Sequence, residues 1–292
     1  MRHPTVLAAL GASDAHVGNV GKSGVDSRAL KLILEKVLPQ YYPPLDLVIT
    51  MVGASDILRW LEIGAPAGEC ARPLSASECF CRHPDVDFSW DPRRTALSHL
   101  ARNLRQQRRS SAGTASWFRR ARQMRANAST IIRNVPDATA VCAAYAAHLE
   151  GIVSVVRAHA RHLIVARQPW FAKEVYSPQE EAAFWQGGIG KAYRQDKVST
   201  YYSAQVLSEL MQKIDDITVG VANRASIPHV DLRPALEMSL ESFYDQFHMR
   251  ATASEPIARC LMPVILEVCR PTAQDPLSAG TRDEAQEIPR PG

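Results

Sequence analysis

Apolar residues along this chain alternate between helical spacing and strand-length runs. Leu30, Leu32, Ile33, Val37 and Leu38 recur at helical intervals and predict a helix from Ser27 to about Leu38. Pro43-Pro44 breaks that pattern. Leu45 to Val52 comes next as an unbroken apolar run, as expected for a strand covered on both faces. It ends in Gly53-Ala54-Ser55-Asp56, and Leu58, Trp60 and Leu61 then mark a helical turn. From Gly64 to about Val135 the periodicity loosens into sequence rich in Pro, Cys, Arg and Ser, with helices expected near 93–109 and 115–132. Alternation then returns. A helix is expected from Ala138 to Ala160, and a strand from His162 to Ala166 that leaves through Gln168-Pro169. A partly helical stretch from Ser177 to Asn223 has its clearest helix at Thr200 to Arg224, followed by a strand at Ile227 to Leu232 and a helix from about Glu255 to Cys269. Near the start, residues 4–10 have the pattern of a helix end, Ala15 to Val20 that of a short strand, and Gly21-Lys22-Ser23-Gly24 that of a turn.

Strands alternating with helices predict an α/β fold, a three-layer α/β/α sandwich around a mainly parallel sheet. The expected organisation is one domain over residues 1–270, interrupted by an insertion at 65–135. The tail, 271–292, has no apolar period and is expected to be disordered.

Composition narrows the function classes. Hydrophobic residues make up 46% of the 292 positions and charged residues 22%, as in an ordinary globular protein. No uncharged apolar run reaches the roughly 18 residues that span a bilayer, so no membrane span is expected. Val6 to Leu10 is too short for a signal-peptide core; the chain as written is expected to be cytoplasmic, although a longer precursor has room for a signal peptide. The net charge of +4 hides a local excess, because eight arginines fall between Arg102 and Arg125 with Trp117 and Phe118 among them. Such a segment suits RNA or another anionic polymer. With so mild an overall charge, a solvated helical face of the insertion is the preferred reading and nucleic acid is not an expected partner.

Two further motifs are weighed and set aside. Cys70, Cys79 and Cys81 lie near His83, but their spacing lacks the paired cysteines of structural zinc sites, so no metal is expected. Gly18 to Ser23 ends in the Gly-Lys-Ser of a phosphate-binding loop, yet the glycine that such a loop needs at position 16 is His16. No nucleotide or other cofactor is expected.

Functional groups of open α/β sheets gather at the carboxyl ends of the strands. Three such places carry suggestive residues here: Asn19 to Gly24, Gly53 to Asp56, and Asp245 to His248 after the last strand. His248 has the chemistry of a general base and Asp245 that of its orienting partner. Gly24 and Ser55 are candidate donors to a developing oxyanion, through a backbone N–H and a hydroxyl. Trp60, Trp170 and Trp185 either line a nearby cleft or belong to the core.

In combination and order these segments resemble the SGNH (GDSL-type) hydrolases. Val17 to Gly24 matches that family's second block, Asp46 to Asp56 its third, and Tyr244 to Met249 its Asp-x-x-His block, with Ile257-Ala258 opening the closing helix. Val165 to Pro169 looks like the family's fourth strand. The resemblance covers roughly residues 4–65 and 136–270. It implies a flavodoxin-like sheet and a serine esterase that hydrolyses an acyl or acetyl ester of a carbohydrate or lipid. His248 would be the base, Asp245 its orienter, and Gly24 and Ser55 the oxyanion donors.

Two departures stand out. Ser55 occupies the place of the family's oxyanion asparagine, and loss of one such donor typically costs on the order of 100- to 1000-fold in turnover. The Gly-Asp-Ser block that bears the nucleophile is not found. Ser13, in Gly11-Ala12-Ser13-Asp14, lies only eleven residues before Gly24 and at the wrong end of the expected strand. The nucleophile therefore stays unknown, and the family's first strand, which lies inside the sheet, is expected to be missing together with the backbone pairing it supplies. An upstream start is one expectation. The alternative is a non-catalytic SGNH-like protein that binds a glycan or protein partner in the same cleft.

Overall fold

A computed structural model of the protein describes residues 7–8, 10–22, 24–40, 44–68, 74, 79, 116–190 and 197–270. In chain order they form helix α1 (Ser27–Val37), strand β1 (Leu45–Thr50), α2 (Ala54–Glu62), α3 (residues 116–126), β2 (Thr130–Ile132) and α4 (Thr139–His159). Then come β3 (Ala160–Arg167), α5 (Pro178–Ala183), β4 (Thr200–Tyr202), α6 (Ala204–Arg224), β5 (His229–Asp231) and α7 (Ser254–Val268).

The main sheet has the order β1-β3-β5, with both pairings parallel, from Leu45 opposite Ala160 to Thr50 opposite Val165, and from Val165 opposite His229 to Arg167 opposite Asp231. Side chains of a strand point alternately to its two faces, and β3 shows what each face meets. Leu163 and Val165 pack into a core with Leu34 of α1, Ile57 and Leu61 of α2, Leu149, Ile152 and Val156 of α4, and Leu210 and Ile214 of α6. Ile164 and Ala166 turn the other way and join Val230 and Leu232 beneath Leu261, Val264 and Val268 of α7. The fold is thus an α/β three-layer arrangement with a parallel, flavodoxin-like sheet. A second, two-stranded parallel sheet pairs Thr130–Ile132 with Thr200–Tyr202.

Local chemistry sets the helix starts. The Asp26 side chain accepts the Ala29 N–H at 2.8 Å to cap α1, and Ser203 accepts the Val206 N–H at 3.2 Å to cap α6. Ser177 and Glu180 form a reciprocal capping box at α5. Helix α4, 21 residues with a mean hydropathy of 1.5, is long and apolar enough to cross a membrane by length and composition. In this fold it buries Tyr145, Leu149, Ile152, Val153 and Val156 in the core against α1, α6 and β3.

Several expected elements shift. Residues 15–20 belong to no strand or helix, with Val17 88% exposed. Their backbone finds local partners instead, such as the Asn19 side chain on the Gly21 N–H at 2.8 Å. Of the helix end expected at 4–10, Leu7 and Ala8 are helical and Leu10 lies in a turn; Gly11, at φ +61°, turns the chain and Ala12 donates back to the Leu7 carbonyl. Strand β1 is not covered on both faces, since Ile49 is 41% exposed. The helix expected from Thr200 begins four residues later, because Thr200-Tyr201-Tyr202 pairs as β4 and Ser203 then caps α6. The helix expected at 115–132 stops at 126, and Thr130–Ile132 becomes β2. The helix near 93–109, Cys70, Cys81, His83 and the tail lie outside the described residues.

Gly53 joins β1 to α2 at φ +149°, where a Cβ would stand 2.7 Å from Ile214 Cγ2. Gly53→Ala therefore both strains the backbone and overpacks α6, and urea unfolding should report a loss of about 2–4 kcal/mol. A loss below about 0.5 kcal/mol, the range of a neutral surface change, would contradict this account.

Candidate active site

The segment from β5 to α7 carries the Asp-x-x-His motif as a closed turn. Tyr244 donates its N–H to the His248 carbonyl at 3.0 Å, and Phe243 and Met249 form an isolated antiparallel bridge. Asp245 holds the turn from within, its Oδ1 accepting the backbone N–H groups of Phe247 and His248, each at 2.9 Å. A short acidic side chain favours this kind of local bond to the backbone ahead of it. Phe171, just beyond β3, donates to the Gln246 carbonyl at 2.8 Å, and Gln246 Nε2 donates to the Ala204 carbonyl at 2.7 Å. The motif is thereby tied to the end of one strand and the start of α6.

The Asp245 side chain has no solvent exposure. Its Oδ2 accepts the indole N–H of Trp185 at 2.8 Å and lies 2.8 Å from His248 Nδ1. Burial pushes the carboxyl pKa up, but the His248 ring and the two backbone N–H groups outweigh it and hold the group below its ordinary value. An ionised carboxylate only accepts, so the hydrogen of a neutral His248 ring sits on Nδ1 and the Nε2 lone pair is left free. The His248 side chain is 43% exposed. Its ring lies nearly parallel to those of Trp185 (centroids 6.2 Å apart, 9°) and Tyr244 (5.2 Å, 17°). Such a pair can take a proton at Nε2 and stabilise the imidazolium that results.

Helix α3 walls this site. Trp117 and Phe118 meet Trp185 edge-on at 5.0 and 5.8 Å, and Phe118 meets Tyr244 at 5.9 Å. The helix is anchored by two of its arginines. Arg122 donates to the carbonyls of Ala183 and Tyr244 at 2.9 and 2.8 Å, and Arg125 to those of Gln186 and Tyr202 at 2.5 and 3.0 Å. Burial lowers the Arg125 pKa to about 10. Of the eight arginines expected on a solvated face, Arg119 and Arg120 are exposed, Arg122 and Arg125 turn inward, and Arg102, Arg105, Arg108 and Arg109 lie outside the described residues. Trp185 belongs to the cleft. Trp60 and Trp170 belong to the core, where Trp60 donates to the Pro66 carbonyl at 3.0 Å and Trp170 to Ser208 Oγ at 2.9 Å.

Gly24 and Ser55 lie in a second group around the starts of α1 and α2. Gly24, at φ +71°, accepts from Arg59 Nη2 at 2.6 Å, and Arg59 also pairs with Asp26 at 2.6 Å. Ser55 sits in the first turn of α2. Beside it, Asp56 accepts the Ser27 N–H at 3.0 Å and the Ser27 hydroxyl at 2.5 Å, and that hydroxyl oxygen is 3.1 Å from His148 Nδ1. Among the described residues, no hydrogen bond, ion pair or ring contact joins Gly24 or Ser55 to the Asp245–His248 pair. No described hydroxyl or thiol bonds to His248, and Ser13 is exposed. Lys22 donates to the Cys79 carbonyl at 3.0 Å. Among the described residues no cluster of His, Cys, Asp or Glu is arranged to hold a metal. The chain matches no protein-family model, no curated protein and no solved structure.

Trp185→Phe deletes the donor to Asp245 together with the pyrrole half of the indole, which packs against Trp117, Phe118 and His248. Unfolding measurements should show a loss of about 1.5–3 kcal/mol, as for a hydrogen bond to a charged acceptor. No change would mean that Asp245 does not need this donor. Burial pushes the Asp56 pKa up to about 7 against the bonds from Ser27. An unfolded Asp titrates near 4, so the folded chain binds the extra proton between these values. The stability contributed by this group is therefore full below about pH 4 and lost as pH rises to about 7. Relative to Asp56→Asn, the natural chain should lose on the order of 2–4 kcal/mol across that interval in urea titrations, and a constant difference would refute the assignment.

Proposed function

We propose that the protein is an ester hydrolase of the SGNH type, acting on an acyl or acetyl ester of a carbohydrate or lipid. The observation that carries this reading is the His248 ring held at Nδ1 by a wholly buried, ionised Asp245. In the reaction, His248 Nε2 takes the proton of an attacking hydroxyl as that oxygen bonds to the ester carbonyl carbon. It then returns the proton to the departing alcohol, and water releases the acid in a second round. Gly24 and Ser55 are the oxyanion donors in this reading, Ser55 lying in the first turn of α2, the helix that follows β1. The nucleophile is assigned to no residue of the chain.

The test uses protein from its natural source, whatever its N-terminus, with short-chain chromogenic esters. Turnover is expected, with covalent labelling of a serine by a fluorophosphonate, and His248→Ala and Asp245→Asn should each lower kcat by on the order of 100- to 10,000-fold. Turnover that survives His248→Ala contradicts the reading. Neither turnover nor labelling would favour a non-catalytic protein that binds a glycan or protein partner in the same cleft, a role consistent with Ser55 standing where the related enzymes have asparagine.

A further inference from the structure

Next to the catalytic pair, lined in part by Tyr244, lies an open cavity of about 630 Å³. Its floor and wall are apolar, formed by Phe118, Ala126, Ala182 and Tyr244, and its polar groups are Arg119, Arg122 and Gln123. Among the described residues, no carboxylate lines it. Arg122 is committed through Nε and Nη2 to the carbonyls of Ala183 and Tyr244, which fixes its guanidinium at the rim. Arg119 is exposed and makes no hydrogen bond or ion pair with any described residue. The described part of α3 carries four arginines and no acid, and the acid that acts on it, Glu181, acts on Arg125. The cavity reaches the catalytic ring through one side chain, since Tyr244 both lines it and stacks on His248 at 5.2 Å.

An aromatic wall takes the apolar face of a ring, Gln123 suits hydroxyl groups, and a guanidinium takes an oxyanion through paired donors. We infer that this cavity is a recognition subsite for a sugar-like ring bearing a carboxylate or phosphate, one aromatic ring away from the ester that His248 acts on. This rests on the hydrolase reading for its link to catalysis, and on the cavity's own residues for the ligand class. Arg119 supplies the charge, and Phe118 and Tyr244 supply the stacking surface. The acyl ester and the anionic group would then sit on one substrate, an esterified acidic or phosphorylated glycan unit.

The test is binding, read by isothermal titration calorimetry on the full chain. The probes are glucuronate, glucose 6-phosphate and uncharged glucose. At least one anion should bind about tenfold or more tightly than glucose, the effect of one charge-assisted hydrogen bond, and should weaken as salt rises. Which anion binds identifies the group. Arg119→Ala should abolish the preference, whereas Arg120→Ala, on the same helix but outside the cavity, should leave it intact. Equal binding of all three probes, no saturable binding of any, or a preference that survives Arg119→Ala overturns the subsite. Anion-selective binding without any ester turnover sinks the hydrolase reading and keeps the subsite. Turnover that depends on His248 without anion selectivity does the reverse.

Discussion

A carboxylate with no access to water must be satisfied by donors or give up its charge. Asp245 is such a group, and much of the surrounding structure is arranged to keep it ionised. Two of its donors come from the backbone of its own turn, one from the Trp185 indole and one from the His248 ring. The first two shape the turn, the third recruits the segment after α5, and the fourth sets the tautomer of the imidazole. Remove the charge and the same atoms have no reason to converge. The arrangement is therefore both a local fold determinant and the source of whatever basicity His248 offers.

The rest of the molecule delivers these segments to one place. The parallel strands β3 and β5 end side by side, so Phe171 beyond one and Gln246 beyond the other meet by a backbone hydrogen bond. The short sheet of β2 and β4 brings residues 130–132 against the same region, and Arg122 and Arg125 fasten α3 there by donating to the carbonyls of Ala183, Tyr244, Gln186 and Tyr202. Burying those guanidinium groups is costly, and the carbonyls offset it. Around α1 and α2 the balance runs the other way, since Asp56 is held by Ser27 yet raised by burial. Stability thus responds with opposite signs to protons at the two groups of residues.

Much of the fold was legible in the sequence because strong periodicity and continuous apolar runs are local signals. Leu45–Val52, Ala138–Ala160 and His162–Ala166 correspond to β1, α4 and β3 within two residues at each end. Elements that depend on a distant partner were not legible. Residues 15–20 have strand composition, but a strand needs a neighbour to pair with, and Val17 faces solvent. Thr200-Tyr201-Tyr202 continues a helical pattern by spacing and becomes a strand through Thr130–Ile132. At the site, the three-residue spacing of Asp245 and His248 was readable. That Trp185, sixty residues away, would hold the carboxylate was open between cleft and core. The inward turn of Arg122 and Arg125 left no signal at all, because the carbonyls they satisfy are far along the chain.

The central claim concerns one hydrogen atom. Nitrogen-15 NMR of the His248 ring, at a pH where the imidazole is neutral, reports directly which nitrogen carries it. If Asp245 is ionised and governs the ring, Nδ1 resonates as the protonated, pyrrole-like nitrogen and Nε2 as the bare, pyridine-like one, and Asp245→Asn scrambles or reverses the pattern. An Nε2–H tautomer in the unaltered protein would contradict the account, since His248 would then have no lone pair to offer at the open side of its ring.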